Sequence, residues 1–140
     1  MARILCIDYG RKRCGIAVTD ELRLSATPLT TVATHEILKF VLDYIAANQV
    51  DLVIVGKPTT LRGEPSESWT YIEPFVRALR KRLPEGISLE LYDERFTSTI
   101  AHQAMLSGGL GRQARRDKAL VDRTAATIIL TDYLQSIYNH

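Results

Sequence analysis

Three acids in this 140-residue chain stand where acids are costly or where strands and helices converge. Asp8 closes the run Arg3-Ile4-Leu5-Cys6-Ile7-Asp8, which is otherwise suited to burial on both faces. A carboxylate there costs on the order of several kcal/mol unless it is paired, hydrogen-bonded or bound to a cation. Two readings therefore stand side by side: Asp8 caps nearby backbone amides, or it is a metal ligand with partners elsewhere. Glu94 ends an alternating run in Asp93-Glu94-Arg95-Phe96-Thr97-Ser98, and Asp122 lies between Val121 and Ala125 on the border of an apolar stripe. Carboxylates of this kind suit Mg²⁺ or Mn²⁺, which also accept phosphate oxygens as ligands. A pair of such ions can stabilise both oxygens of a phosphodiester displacement. Spacing alone leaves open that the three are a capped aspartate, a strand-end acid and a helix-surface acid, unrelated in space.

The elements that would position them follow from periodicity. Arg3 to Asp8 and Arg13 to Thr19 read as two apolar strands joined by the basic turn Arg11-Lys12-Arg13. Gly10 offers the positive φ that a tight turn often needs, and Gly15 lets a backbone or ligand come close. Leu24 to Val32 reads as a third strand that Pro28 places at an edge. Thr34 precedes a helix with Ile37, Leu38, Val41, Leu42 and Ile45 on one stripe. Asp51 to Gly56 is a continuous apolar strand, as expected for a parallel neighbour.

A turn-rich loop from Lys57 to Pro65 leads to a helix that Ser66 or Ser68 can cap. Its stripe is Ile72, Phe75, Val76, Leu79 and Leu83, with Pro74 in the first turns and Pro84 and Gly86 at the end. Ile87 to Glu94 alternates, with Ile87, Leu89 and Leu91 on one face and Ser88, Glu90 and Glu94 on the exposed one. A short helix opening at Thr97 or Ser98 ends at Gly108-Gly109, and Leu110 to Arg116 reads as a mobile basic loop. A final helix from about Asp117 to Tyr138 turns Val121, Ala125, Ile128 and Leu134 inward. A meander followed by strand–helix alternation predicts a mixed five-stranded sheet, order 3-2-1-4-5, with helices on both faces. Ligands then bind where strand order switches, beyond the carboxyl ends of the central strands.

Composition sets the outer bounds. Hydrophobic content of 46% with 24% charged residues is that of a globular chain, and 140 residues fit one domain, 1–140. No apolar run reaches the length of about 20 residues that spans a bilayer, and no secretory leader is evident, so a cytoplasmic protein is expected. Cys6 and Cys14 lie in apolar strands without metal spacing and read as buried free thiols, a cross-strand disulfide being the lesser alternative. The net charge is only +2, but its cations are clustered. Arg77, Arg80, Lys81 and Arg82 read as a solvated helix face. Arg11, Lys12 and Arg13, and the group Arg112, Arg115, Arg116, Lys118 and Arg123, flank the acids instead.

Four segments in order carry a family resemblance. Asp8-Tyr9-Gly10-Arg11-Lys12-Arg13 with Gly15-Ile16-Ala17-Val18 and Asp20 is similar to the opening D-x-G-x-K-R-x-G-x-A motif of the YqgF/RuvX family. Val55-Gly56-Lys57-Pro58 resembles its V-G-x-P loop, and Asp93 to Ser98 its D-E-R-[LF]-[ST]-[ST] element. Lys118 with Val121-Asp122 and Ala125-Ala126 resembles its closing K-x-x-[VI]-D-x-x-A-A helix. The chain departs from the pattern at Lys57, where the family commonly has an apolar residue, and at Thr60-Leu61-Arg62-Gly63, where it has N-x-[DN]-G. The resemblance implies an RNase H-like fold and a divalent-metal-dependent hydrolase, an endo- or exonuclease, with Asp8, Glu94 and Asp122 as catalytic metal ligands.

Family members are described as nucleases of precursor 16S rRNA and as Holliday junction resolvases. The expected substrate is structured RNA, precursor 16S rRNA in ribosome biogenesis, alone or on ribosomal particles; branched DNA is the alternative. Arg11, Lys12, Arg13, Arg95, Arg112, Arg115, Arg116 and Lys118 would grip phosphates, which carry no base information. No membrane partner is expected, and the oligomer would be a monomer or weak homodimer. Two rival readings differ in class. A similar hairpin cradles nucleotides in sugar kinases and actin-like ATPases, but those need two such domains. A non-catalytic nucleic-acid-binding module of the same fold often lacks one of the three acids, and all three are here.

Overall fold

The architecture grows from β1 (Arg3–Asp8), whose Ile4, Leu5, Cys6 and Ile7 are all fully buried. A strand buried on both faces must have neighbours on both edges and cover above and below. The computed structural model describes residues 2–57, 68–93 and 118–138, with side chains of the last helix described over 125–137. β2 (Arg13–Thr19) returns antiparallel beside β1, pairing Asp8 with Gly15, and β3 (Ala26–Ala33) pairs antiparallel with β2. On the other side β4 (Val50–Lys57) runs parallel to β1, and β5 (Ser88–Asp93) runs parallel to β4. The sheet order is β3-β2-β1-β4-β5, as the sequence predicts.

Pro28 lies on an edge strand, as expected, and the register slips there: Ile16 pairs with Thr30 but Ala17 with Pro28. A proline has no N–H to give the ladder, so an edge bulge absorbs it. β3 begins at Ala26 rather than Leu24 because residues 20–25 form a turn around Asp20. The Asp20 carboxylate accepts hydrogen bonds from the amides of Leu22, Leu24 and Ser25 at 3.1, 2.9 and 2.9 Å. Those bonds hold its pKa below the usual carboxylate value, and Arg23 takes a left-handed φ of 58° within the turn.

The two faces are covered by different helices. α1 (Ile37–Ala47) and α2 (Trp69–Arg82) bury Ile37, Val41, Ile45, Ile72, Phe75, Val76 and Leu79 with Leu5, Ile7, Ile16, Val53 and Val55 of the sheet. α3 (Lys118–Tyr138) covers the other face, where Ala126, Ile129, Leu130 and Leu134 pack with Ile4, Cys6, Ala17, Leu52 and Ile54. The inward stripe of α3 is thus shifted from the predicted Val121, Ala125, Ile128 and Leu134. Ala125 and Ile128 are only half-buried, Leu134 is buried, and the Val121 side chain lies outside the described residues. Apolar residues fill 125, 126 and 128–130, so the helix offers more than one apolar face and the sheet selects between them.

Two capping expectations are also corrected. Thr34 opens a 3₁₀ turn (Thr34–Glu36) instead of capping α1; its hydroxyl donates to the Gly10 carbonyl at 2.7 Å and secures the β1–β2 turn. Ser68 precedes α2 but makes no side-chain cap; its carbonyl accepts the amides of Tyr71 and Ile72 at 3.2 Å. Ser66, the loop from 58 to 65 and the short helix after Thr97 lie outside the described residues. Pro84 follows the α2 end and Gly86, at φ 92°, completes the turn into β5, as predicted. Cys6 and Cys14 are buried free thiols in separate cores on opposite faces of the sheet, which rules out a disulfide between them.

Candidate metal and nucleic-acid site

Strand parity decides which face Asp8 serves. Ile4 and Cys6 point into the α3 core, whereas Leu5 and Ile7 point at α1 and α2. Asp8 follows in the even series, at the last position of β1, and is half-buried on the α3 side. Its antiparallel partner is Gly15, and one step beyond the Ile7–Val55 pair the row continues to Gly56 on β4. Asp8 therefore stands in the sheet between two glycines, with no side chain on either flank. Gly56 pairs in turn with Tyr92 on β5, so the next side chain of that row stands about 10 Å from the Asp8 strand.

Glu94 and the Asp122 side chain are placed by chain position alone. β5 ends at Asp93 with Glu90 and Tyr92 on the α3 side, so the strand runs directly into Glu94, which itself lies outside the described residues. Asp122 lies within α3. Its side chain is likewise outside the described set, but position 122 is the next four-residue step of the buried series Leu134, Leu130, Ala126. Among the described residues no group of three His, Cys, Asp or Glu is brought together. The donor chemistry at Asp8 fits a hard divalent cation: a carboxylate at a strand end, between two glycines, on the face that α3 covers.

The link between β5 and α3 was not legible in the sequence. The Tyr92 hydroxyl donates to Asp132 Oδ2 at 2.5 Å, and the Tyr133 hydroxyl donates to Glu90 Oε2 at 3.2 Å. The two rings meet edge to face at 5.8 Å. Burial, then the bond to Asp132, pushes the Tyr92 phenol up to about 12, and burial followed by the Glu90 charge raises Tyr133. The predicted exposed face of β5 is thus partly covered. Position parity with Glu90 and Glu94 was the available signal for Tyr92.

The basic turn rises from the same edge. Gly10, Arg11, Lys12 and Arg13 line a shallow pocket of about 260 Å³, with Arg11 and Lys12 exposed. Gly10 is required there for space and not for a positive φ, which it does not adopt: a Cβ would fall 2.5 Å from the Arg13 carbonyl oxygen. Arg11 lies over the Tyr71 ring at 5.0 Å, and Lys57 over Trp69 at 5.1 Å, so both cations border the first turn of α2. Tyr9 packs on Phe75 beneath them at 4.8 Å between ring centres. Arg95, Arg112, Arg115 and Arg116 lie outside the described residues, as does the Lys118 side chain.

A mixed five-stranded sheet of this order with helices on both faces is the RNase H-like fold. The same fold is found in T. thermophilus RuvC, solved in complex with a Holliday junction substrate, at a TM-score of 0.60 and 22% identity over 99% of this chain and 96% of that one. The chain belongs to the family described as "RuvX: Holliday junction resolvase", which matches residues 2–136. It is 54% identical over 136 residues to a protein of Phocaeicola vulgatus named "Putative pre-16S rRNA nuclease", covering 97% of each chain. A protein of the same name from Bacteroides thetaiotaomicron is also 54% identical, over 97% of this chain and 98% of its own. One from Christiangramia forsetii is 51% identical, over 96% and 98%.

Proposed function

We propose that this chain is a divalent-metal-dependent nuclease that cleaves phosphodiester bonds in precursor 16S rRNA during ribosome maturation, acting as a single domain over 1–140. The observation that carries the reading is full-length likeness, 54% identity over 97% of each chain, to proteins named for that activity. The geometry of Asp8, on the central strand between two glycines, supports it independently. Asp8, Glu94 and Asp122 are the proposed metal ligands and catalytic residues, the first from the central strand, the second just after β5 and the third from α3.

Bound there, Mg²⁺ or Mn²⁺ would offset negative charge on the transferring phosphate and make water a better nucleophile. The chain's own contribution is placement. β1 fixes the Asp8 carboxylate at the strand end, and the glycines beside it add no side chain of their own. The aromatic rings under Arg11 and Lys57 hold those cations at the same edge, where Arg11, Lys12 and Arg13 would contact the backbone on either side of the cut. Arg95, Arg112, Arg115, Arg116 and Lys118 are proposed to extend that grip.

The family description favours a second reading, resolution of four-way DNA junctions. Both substrates present phosphates to the same cations, so one assay should compare them. Precursor 16S rRNA and a synthetic four-way junction are incubated with the chain in Mg²⁺, in Mn²⁺ and in chelator. Metal-dependent cleavage of the RNA with little on the junction is the expected result. Paired symmetric cuts in the junction with intact RNA would make the chain a resolvase, and binding without cleavage of either would make it a non-catalytic module.

A further inference from the structure

We propose that Tyr92 is a positioning residue for the metal-binding acids: its hydrogen bond to Asp132 locks α3 against the strand that runs into Glu94. The inference rests on the metal-site reading above and extends it to residues outside the acid set. Glu94 follows β5 in the chain and Asp122 belongs to α3, and these two elements are tied at two adjacent same-face strand positions. Tyr92 reaches Asp132, and Glu90 receives Tyr133. Consecutive helix residues thus bond alternate strand residues, and the edge-to-face rings close the gap between the two bonds.

The buried core under α3 is aliphatic. Ala126, Ile129, Leu130 and Leu134 pack on Ile4, Cys6, Ala17, Leu52 and Ile54, with no directional bond among them. Packing of that kind excludes water well but fixes the height and rotation of a helix weakly, and packed helices can shift by about 1–2 Å. Shared chelation demands acids held to within about 0.5 Å. A phenol donating to a carboxylate is charge-assisted and directional, and it supplies the constraint that the aliphatic surface lacks. Tyr92 also stands in the Asp8–Gly56–Tyr92 row of the sheet.

The test is Tyr92→Phe, which keeps the ring against Tyr133 and removes the hydroxyl that donates to Asp132 and also bonds Ser136. Mn²⁺ binding to the full chain without nucleic acid is followed by the electron paramagnetic resonance of free Mn²⁺. Half-saturation should rise about tenfold, the scale seen when residues supporting metal ligands are removed. RNA affinity in chelator should stay at the wild-type value, and cleavage should recover at raised Mn²⁺. Asp132→Ala should reproduce the loss with the Tyr92 ring in place, and it carries the test if Tyr92→Phe melts too low to assay. Asp132→Asn, which keeps an acceptor oxygen, should fall between that variant and wild type. Equal Mn²⁺ affinity in wild type, Tyr92→Phe and Asp132→Ala overturns the positioning role alone. A wild-type chain that binds no Mn²⁺ overturns the metal site and this inference together.

Discussion

At the scale of single residues the chain spends its unusual choices around one point. Asp8 is the only acid of β1, and the residues beside it in the sheet are glycines. If Glu94 and Asp122 join Asp8 as proposed, three carboxylates without a cation would repel, raising at least one pKa and lowering stability. Asp8→Asn should therefore reduce cleavage of precursor rRNA by orders of magnitude while melting in chelator at the wild-type temperature or above. RNA binding through the basic edge should survive. Cleavage assays in Mg²⁺ and Mn²⁺ beside melts in chelator check this, and wild-type rates in Asp8→Asn would refute the metal mechanism. Gly10 makes a different point. Its hypothetical Cβ meets backbone, the Arg13 carbonyl, at 2.5 Å, and backbone has little freedom to give way. Gly10→Ala should cost about 1–3 kcal/mol in denaturant unfolding through the strained turn.

The elements add constraints that no residue carries alone. Tyr92 in the folded chain has its pKa raised from 10.0 to about 12 by burial and by Asp132. The folded state therefore holds the phenolic proton more tightly than the unfolded state does. Its stabilising effect is complete below pH ~10 and is lost as pH rises toward about 12. The ring is partly exposed, so solvent screening holds the effect to about 1 kcal/mol or less. Unfolding measured between pH 9 and 12 should show a downward slope that shrinks in Tyr92→Phe, with Tyr133 supplying a remainder of the same sign. The aliphatic half of the same contact is tested by Leu130→Ala. Leu130 is 0% exposed, and its truncation should cost about 2–5 kcal/mol. That loss should appear in chelator as well as in metal, unlike the effect expected of Tyr92→Phe on Mn²⁺ affinity.

For the molecule as a whole, charge placement matters more than its sum of +2. Arg11, Lys12, Arg13 and Lys57 gather at the carboxyl edge of the central strands, on the same side as Asp8. The predicted cluster of Arg112, Arg115, Arg116 and Lys118 leads into α3 from the same chain segment that precedes Asp122. If it grips phosphates, reversing those charges should weaken RNA binding for all sequences alike. The salt dependence should also flatten, by about one unit of log–log slope for each phosphate that is no longer neutralised. Titrations at several salt concentrations measure this, and an unchanged slope would return the cluster to an ordinary solvated loop. None of the described helices is long and apolar enough to cross a membrane.

The sequence by itself determined the strand order. Two-residue alternation, the continuous apolar runs of β1 and β4 and right-handed crossovers leave β1 in the centre, and Pro28 leaves β3 at the edge. It also singled out Asp8, because an acid closing a doubly buried strand needs an explanation whatever the fold. Tertiary structure decided what local pattern leaves degenerate. α3 has apolar residues on more than one side, so only the sheet could choose the series Ala126, Leu130, Leu134 over the predicted Ala125 and Ile128. Thr34 could cap a helix or bond a distant carbonyl, and the turn at Gly10 claimed it. The bonds from Tyr92 to Asp132 and from Tyr133 to Glu90 join residues 40 and 43 positions apart. No periodicity spans such a separation, because their meeting depends on how a helix lies across a finished sheet.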